Sequence, residues 1–441
     1  MERSLHYTNE KSGYYLPISI IGGLFFIFGF VTWLNGALIP FLQIACELNH
    51  IEAYLITMTF YFAYTVMAIP VSSILNRVGY KQGMSIGLAV MAVGALFFIP
   101  AAYFRYFPLF LSALFVLGTG LTLLQTAANP YIVLIGPKES AAVRISMMGL
   151  LNKGAGFIAP ILFTALIFAD VALFANIDIA SLTKTEKELT LSELSSRLIL
   201  PYFIMAIVLG LLAVLIGKAA LPSIANTEQT SRSFNLSFLK HYPQLYFGVA
   251  TLFFYVGVEV IAGDTIGVFG KELGTKNFTQ LTSYTMAFMV LAYILGMILI
   301  PKFISQARAL KISAVLGIML TLLILLLPND TQVMWNFVFG TSHNEVLPDV
   351  VLLVAMLGLS NALVWPAVWP MALDGVEQKY IGSASALLIM AISGGAILPF
   401  VYGVIAEYIG DLQLSYAIML PCYLFILFYS IMGQRRERLP A

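Results

Sequence analysis

Leu117-Gly-Thr-Gly-Leu-Thr-Leu-Leu-Gln-Thr-Ala-Ala-Asn-Pro130 returns, faintly, as Leu357-Gly-Leu-Ser-Asn-Ala-Leu-Val-Trp-Pro-Ala-Val-Trp-Pro370. Leucine, glycine, leucine, alanine and proline stay in register about 240 residues apart, in an apolar background. Downstream, Gly154-Ala-Gly156 and Pro160 are echoed by Gly394-Gly395 and Pro399 at nearly the same offset. One membrane half is written twice. Parallel repeats of this kind belong to secondary transporters, whose substrate site lies between the halves near the bilayer midplane.

Composition agrees. Hydrophobic residues make up 60% of the chain and charged residues 10%, and the mean hydropathy is +0.91, far from a soluble protein. A bilayer core needs roughly 20 mostly apolar helical residues per crossing, and about twelve such stretches can be counted. They centre near residues 30, 63, 94, 122, 158, 208, 256, 292, 319, 360, 391 and 422. The first holds Trp33, Asn35 and Pro40 and lacks a small-residue cleavage site, so it reads as a span and not as a cleaved signal. The continuous apolar runs exclude alternating barrel strands. The expected fold is therefore an all-α polytopic membrane protein of twelve transmembrane helices in two pseudo-symmetric six-helix bundles.

Charge sets the orientation. Of the 23 basic residues, about sixteen fall on one side and about six on the other if both termini are cytoplasmic, as the positive-inside rule requires. The inner set includes Arg77, Lys81, Lys218, Arg232, Lys240, Lys302, Arg308, Lys311 and Arg435-Arg436. A net charge of +1 offers nothing to a nucleic acid. Cys46 and Cys422 read as small buried thiols, and no metal-ligand spacing exists.

The polar stretch from Leu221 to His241 divides the chain into residues 1–220, a linker at 221–241, and residues 242–441. A second polar run, Asn176 to Ser196, reads as a solvated outer loop, with a short amphipathic helix as the alternative. No phosphate-binding loop, dinucleotide fingerprint or HExxH helix is present, so neither ATP-driven transport nor enzyme chemistry is expected, and no cofactor.

Asn76-Arg77-Val78-Gly79-Tyr80-Lys81, between the second and third spans, resembles the signature loop of the major facilitator superfamily, with Asn76 where that loop usually has aspartate. Three longer segments narrow the resemblance: Phe25–Gly36 with Ala37-Leu-Ile-Pro40, Leu124–Pro130 with Gly136–Ser140 and Arg144, and Phe254–Val260. They look like the fucose/glucose/galactose permease family, including its N-acetylglucosamine permeases. The resemblance implies cation-coupled uptake of a monosaccharide by alternating access across a bacterial inner membrane, with H+ or Na+ as the coupling ion and a monomer as the working unit. Fucose-transporting members carry acids where this chain has Gly36 and Gln125, so a proton mechanism resting on that pair does not transfer. Asn35, Asn129 and Asn152 match polar positions of the family, and Trp365 matches an aromatic one.

The residues themselves offer a substrate set. Asn35, Gln125, Asn129, Asn152 and Asn361 bring amides, each with donor and acceptor groups for sugar hydroxyls. Trp365, one helical turn from Asn361, can stack on a pyranose ring. Ionisable side chains inside spans cost roughly 2.5–3.5 kcal/mol each and are functional candidates by default. Three qualify: Lys153, Glu259 and Asp264. Glu259 lies about fourteen residues, or roughly 21 Å, into its span, near the middle. It reads as a proton carrier, sodium ligand or sugar ligand, or as a structural partner of Lys153. Lys153 reads as a gating contact or a snorkelling lysine; Asp264, Arg77 and Lys81 are further gating candidates. The histidines His6, His50, His241 and His343 sit in terminal or loop segments. Rival functions are an exporter of apolar compounds in the same fold and a non-transporting sugar sensor.

Overall fold

The computed structural model describes residues 15–135, 141–167, 183–219, 221, 236–300, 303–339, 347–377 and 380–437. The motif residues 136–140, linker residues 222–235, Lys302, His6 and His343 lie outside these, as do the side chains of Asn76, Arg435 and Arg436. Among the described residues, twelve helices are long and apolar enough to cross a membrane. In chain order they are Leu16–Ala45, His50–Ala68, Arg77–Phe104, Phe107–Asn129, Arg144–Ile167, Lys184–Lys218, Pro243–Glu272, Phe278–Leu299, Gln306–Leu326, Asp349–Leu373, Leu387–Ile409 and Leu412–Gly433. Each centre expected from the sequence falls inside one of them.

The repeated glycine explains how each half is packed. A Cβ on Gly118 would collide with the carbonyl oxygen of Phe60, seating span four against span two. A Cβ on Gly358 would collide with the carbonyl oxygen of Thr285, seating span ten against span eight in the same way. Small residues let membrane helices approach to backbone contact, which supplies the dispersion that lipid cannot. Spans three and four repeat the device with Gly87, Gly94 and Gly120, whose added Cβ atoms would meet the facing backbone at 2.6–2.8 Å. The second echo is less faithful, for Gly394 abuts the Phe253 carbonyl while Gly154 faces open space.

Spans two and three form one helical run, His50–Phe104, broken only at Gly79 with φ 78° and ψ 170°. That backbone region is accessible essentially to glycine alone and costs other residues about 1–3 kcal/mol. Gly79→Ala is therefore expected to lower the unfolding temperature of the purified protein, read by a thermal-shift assay in one detergent. An unchanged midpoint would contradict the argument, because nothing within 4 Å would obstruct the methyl group and only the backbone is at stake.

The loop expected at Asn176 to Ser196 is corrected where it is described, at the start of the Lys184–Lys218 run. Lys184–Ser196 is a helix. Thr183 and Glu186 form a reciprocal capping box, with Thr183 N–H donating to Glu186 Oε2 at 3.0 Å. Leu191 and Leu194 are buried, and Ser195 Oγ donates to the Ala102 carbonyl at 3.0 Å. Arg105–Glu188, at 3.0 Å, and Lys187–Glu47 tie this helix to neighbouring turns. The polar composition concealed an amphipathic helix whose apolar side needs only two leucines. Cys46 and Cys422 are free thiols; Cys422 is buried, as expected, and Cys46 only half-buried.

Candidate functional site

Among the described residues, hydrogen bonds that join the two halves gather at one end of the bundle. Lys271 Nζ donates to Gln43 Oε1 at 3.3 Å, His50 N–H to Glu407 Oε2 at 3.2 Å, and Thr164 and Thr279 share a 2.8 Å bond. Tyr54 meets Tyr402 edge-on, 5.5 Å between centroids, over the bare backbone of Gly403. This is a seal. Below it, between the halves, lies a cavity of about 130 Å³.

One buried cluster crosses the cavity. Lys153 Nζ of span five lies 2.8 Å from Glu259 Oε1 of span seven, each side chain 9% exposed. Tyr255, one turn before Glu259, donates its hydroxyl to the same oxygen at 2.7 Å. The ammonium also sits 4.2 Å from the centroid of the Trp33 ring, in cation–π geometry. Trp33 Nε1 in turn donates to Asn152 Oδ1 at 3.4 Å. A buried charge is tolerated only with a partner and further hydrogen bonds. Here the carboxylate oxygen has two donors, and the ammonium has a carboxylate and an aromatic face.

Glycines make the cluster possible. A Cβ at Gly156 would lie 2.6 Å from the Trp33 ring, and one at Gly263 would also strike that ring, so both spans yield to the indole. Gly29 lets span one lie against the backbone of Asn152. Span seven loosens just beyond Glu259 into a π-helical turn, Ile261–Thr265. Such turns are rare and cluster at functional sites.

Of the expected sugar ligands, Gln125, Asn129, Asn152 and Trp365 line the cavity. Trp365 stands 6.4 Å from Tyr255 and 5.3 Å from Trp369, between ring centroids, as part of an aromatic wall. Asn35 and Asn361 require correction. Neither is on the cavity wall. Asn35 is buried in the short helix Asn35–Ala45, and Asn361 Oδ1 accepts the Tyr423 hydroxyl at 2.8 Å, between spans ten and twelve. Its turn spacing to Trp365 did not hold because the helix is interrupted between Asn361 and Val364. Arg77 and Lys81 lie at the turn after span two, away from the cavity. Arg144 is buried, its Nε donating to the Ile132 carbonyl at 2.9 Å near the end of span four.

The tyrosines were missed. Tyr61, Tyr64, Tyr255 and Tyr293 line the cavity, with Phe25 and Phe28. Tyr255 was within reach of sequence reasoning, because it lies four residues before Glu259 on one helical face. Tyr61 and Tyr64, stacked at 6.1 Å, carry no signal that separates them from other aromatic residues in apolar spans. Gly36, where fucose carriers have an acid, leaves no room for one: a Cβ there would strike Thr282 and the Gly263 carbonyl. Glu259 is the one carboxylate on the cavity wall among the described residues.

Comparison with known proteins agrees with this architecture. The Major Facilitator Superfamily profile matches residues 21–400. A glucose/galactose transporter of Brucella abortus is 30% identical over 436 residues, covering 97% of this chain and 96% of the relative. An L-fucose-proton symporter of Escherichia coli is 26% identical over 447 residues, covering 96% and 94%. The crystal structure of an E. coli fucose:proton symporter superposes with a TM-score of 0.69 at 22% identity, covering 95% of this chain and 99% of that one. The chain belongs to the major facilitator superfamily and, within it, to the fucose, glucose and galactose permease family of membrane transporters, not enzymes.

Proposed function

We propose that this protein is a proton-coupled symporter that takes up glucose or galactose by alternating access, with Glu259 as the group that couples the proton. The observation that carries this reading is the Lys153–Glu259 pair, which joins the two halves inside a cavity walled by amides and aromatic rings. The relatives named for glucose, galactose and fucose-proton transport favour a hexose and a proton over sodium.

The chemistry follows from the pair. While Glu259 is ionised it holds Lys153 and ties span five to span seven. Protonation of Glu259 removes one charge, and sugar hydroxyls then offer Lys153, Asn152 and Gln125 alternative partners. A cargo biases an exchange between states only by binding them differently. Proton and sugar therefore act together by releasing a tie that neither releases alone. Gln125, Asn129 and Asn152 take hydroxyls, and Trp365 presents a stacking face. An apolar cargo would leave these amides without partners, which disfavours an exporter of apolar compounds.

The remaining assignments belong to the same proposal. Residues 1–220 and 242–441 are the moving halves, with 221–241 as a cytoplasmic linker. Both termini are cytoplasmic, the membrane is a bacterial inner membrane, and the monomer is the working unit. In that orientation the seal lies on the outer side.

Counterflow into proteoliposomes loaded with glucose, challenged by galactose, N-acetylglucosamine and fucose, tests the substrate. Glucose and galactose are expected to compete. Competition by N-acetylglucosamine or fucose alone would reassign the sugar, and exchange of none of them would overturn the reading. Trp365→Ala is expected to raise the half-saturating sugar concentration by about tenfold, the equivalent of roughly 1.4 kcal/mol. Trp365→Phe should recover most of it; equal losses in both variants would mean that stacking is not the contribution.

A further inference from the structure

The proposed mechanism uses Glu259 and leaves the other carboxyl of span seven without a task. Asp264 sits in the π-helical turn Ile261–Thr265 and is wholly buried. Its Oδ2 accepts a 3.0 Å hydrogen bond from Thr57 Oγ1 of span two, across the boundary between the halves. Its Oδ1 is buried and has no hydrogen-bond partner among the described residues. Among the described residues no cation lies within ion-pair distance of it. The ionisable groups that face it are Glu259 on its own span and Tyr54 and Tyr61 on span two. None can supply a positive charge.

That environment cannot hold a carboxylate. A buried anion needs a cation or several donors, and it otherwise takes a proton. Among the described residues Asp264 has one donor, on Oδ2, and none on Oδ1. Its position gives the proton a consequence, because the carboxyl is clamped at the seal. Gly36, on the span-one side, lies against the carbonyl of Gly263, and Thr282 Oγ1 donates to that same carbonyl at 2.8 Å. Parting the halves here would pull Thr57 from Asp264 and admit water to the carboxyl.

We infer that Asp264 is a second proton-binding site, distinct from the Lys153–Glu259 pair, and that the seal closes only over its protonated form. Opening the seal hydrates and ionises the carboxyl, and closing requires that it take a proton from the medium on that face. Acid on the seal side favours the closed seal and alkali favours the open one. The inference rests on alternating access but not on the identity of the sugar, nor on Glu259 as the coupling group.

The test needs no sugar. Spin labels are placed at Leu166→Cys and Tyr408→Cys, exposed positions near the seal on opposite halves, in full-length protein with Cys46 and Cys422 replaced by alanine and held in lipid nanodiscs. Distances are measured from acid to alkaline pH. The parent is expected to shift from short to long distances as pH rises, and Asp264→Asn to stay short throughout. The inference is overturned if Asp264→Asn follows the parent or if the parent shows no shift. Should Asp264→Asn fail to fold, Asp264→Ser supplies a second neutral side chain with the same expected result. Failure of the sugar assays leaves this measurement intact, so the two readings fail separately.

Discussion

Glu259→Gln is expected to abolish uphill sugar accumulation while sparing exchange. Under an imposed proton gradient the internal-to-external sugar ratio should fall to about one, because a gradient can raise that ratio only through a site that binds the ion differently in the two states. The glutamine amide oxygen can still accept from Lys153 and Tyr255, which surround Glu259 Oε1 at 2.8 and 2.7 Å. The cavity therefore keeps its shape, and counterflow needs only that loaded carriers move. Concentrative uptake persisting in Glu259→Gln would remove Glu259 as the coupling group. Loss of counterflow together with accumulation would assign it to sugar binding.

The second large effect is on stability. Lys153→Met leaves the Glu259 carboxylate buried with the Tyr255 hydroxyl as its one hydrogen-bond partner among those described. Removing one member of a buried ion pair costs roughly 3–5 kcal/mol, while replacing both members with neutral groups is often harmless. Lys153→Met should thus unfold at a markedly lower temperature than the parent. Lys153→Met combined with Glu259→Gln should recover most of that loss, in the same detergent and at the same pH. If the double variant is no more stable than Lys153→Met, the loss comes from the ammonium's contact with the Trp33 ring, not from an orphaned carboxylate.

The fold was legible because membrane insertion writes it in long apolar runs, and because the repeat marks the place where one half begins again. Gly118 and Gly358, in register in the sequence, do the same job against Phe60 and Thr285. The ionisable part of the site was legible for a related reason: Lys153 and Glu259 stand out against an apolar background at a cost that evolution rarely accepts without use. Their pairing was not legible. It depends on how span five meets span seven, which no local pattern encodes. Asn361 misled because helix spacing places two residues on one face only while the helix is continuous, and it is interrupted between Asn361 and Val364. The cavity tyrosines were hidden by abundance, among 22 tyrosines and 32 phenylalanines in the chain. The polar helix that opens the Lys184–Lys218 run was hidden by its charge, although its capping box was present in the letters Thr183 and Glu186.

The central claim is that sugar and proton enter together. It is tested most directly by adding glucose or galactose to lightly buffered, de-energised proteoliposomes, clamped at zero membrane potential, and recording the external pH. Symport predicts an immediate rise in external pH that is abolished by a protonophore and absent in Glu259→Gln. Uptake of the labelled sugar with no change in external pH would contradict it, and proton coupling would have to be given up.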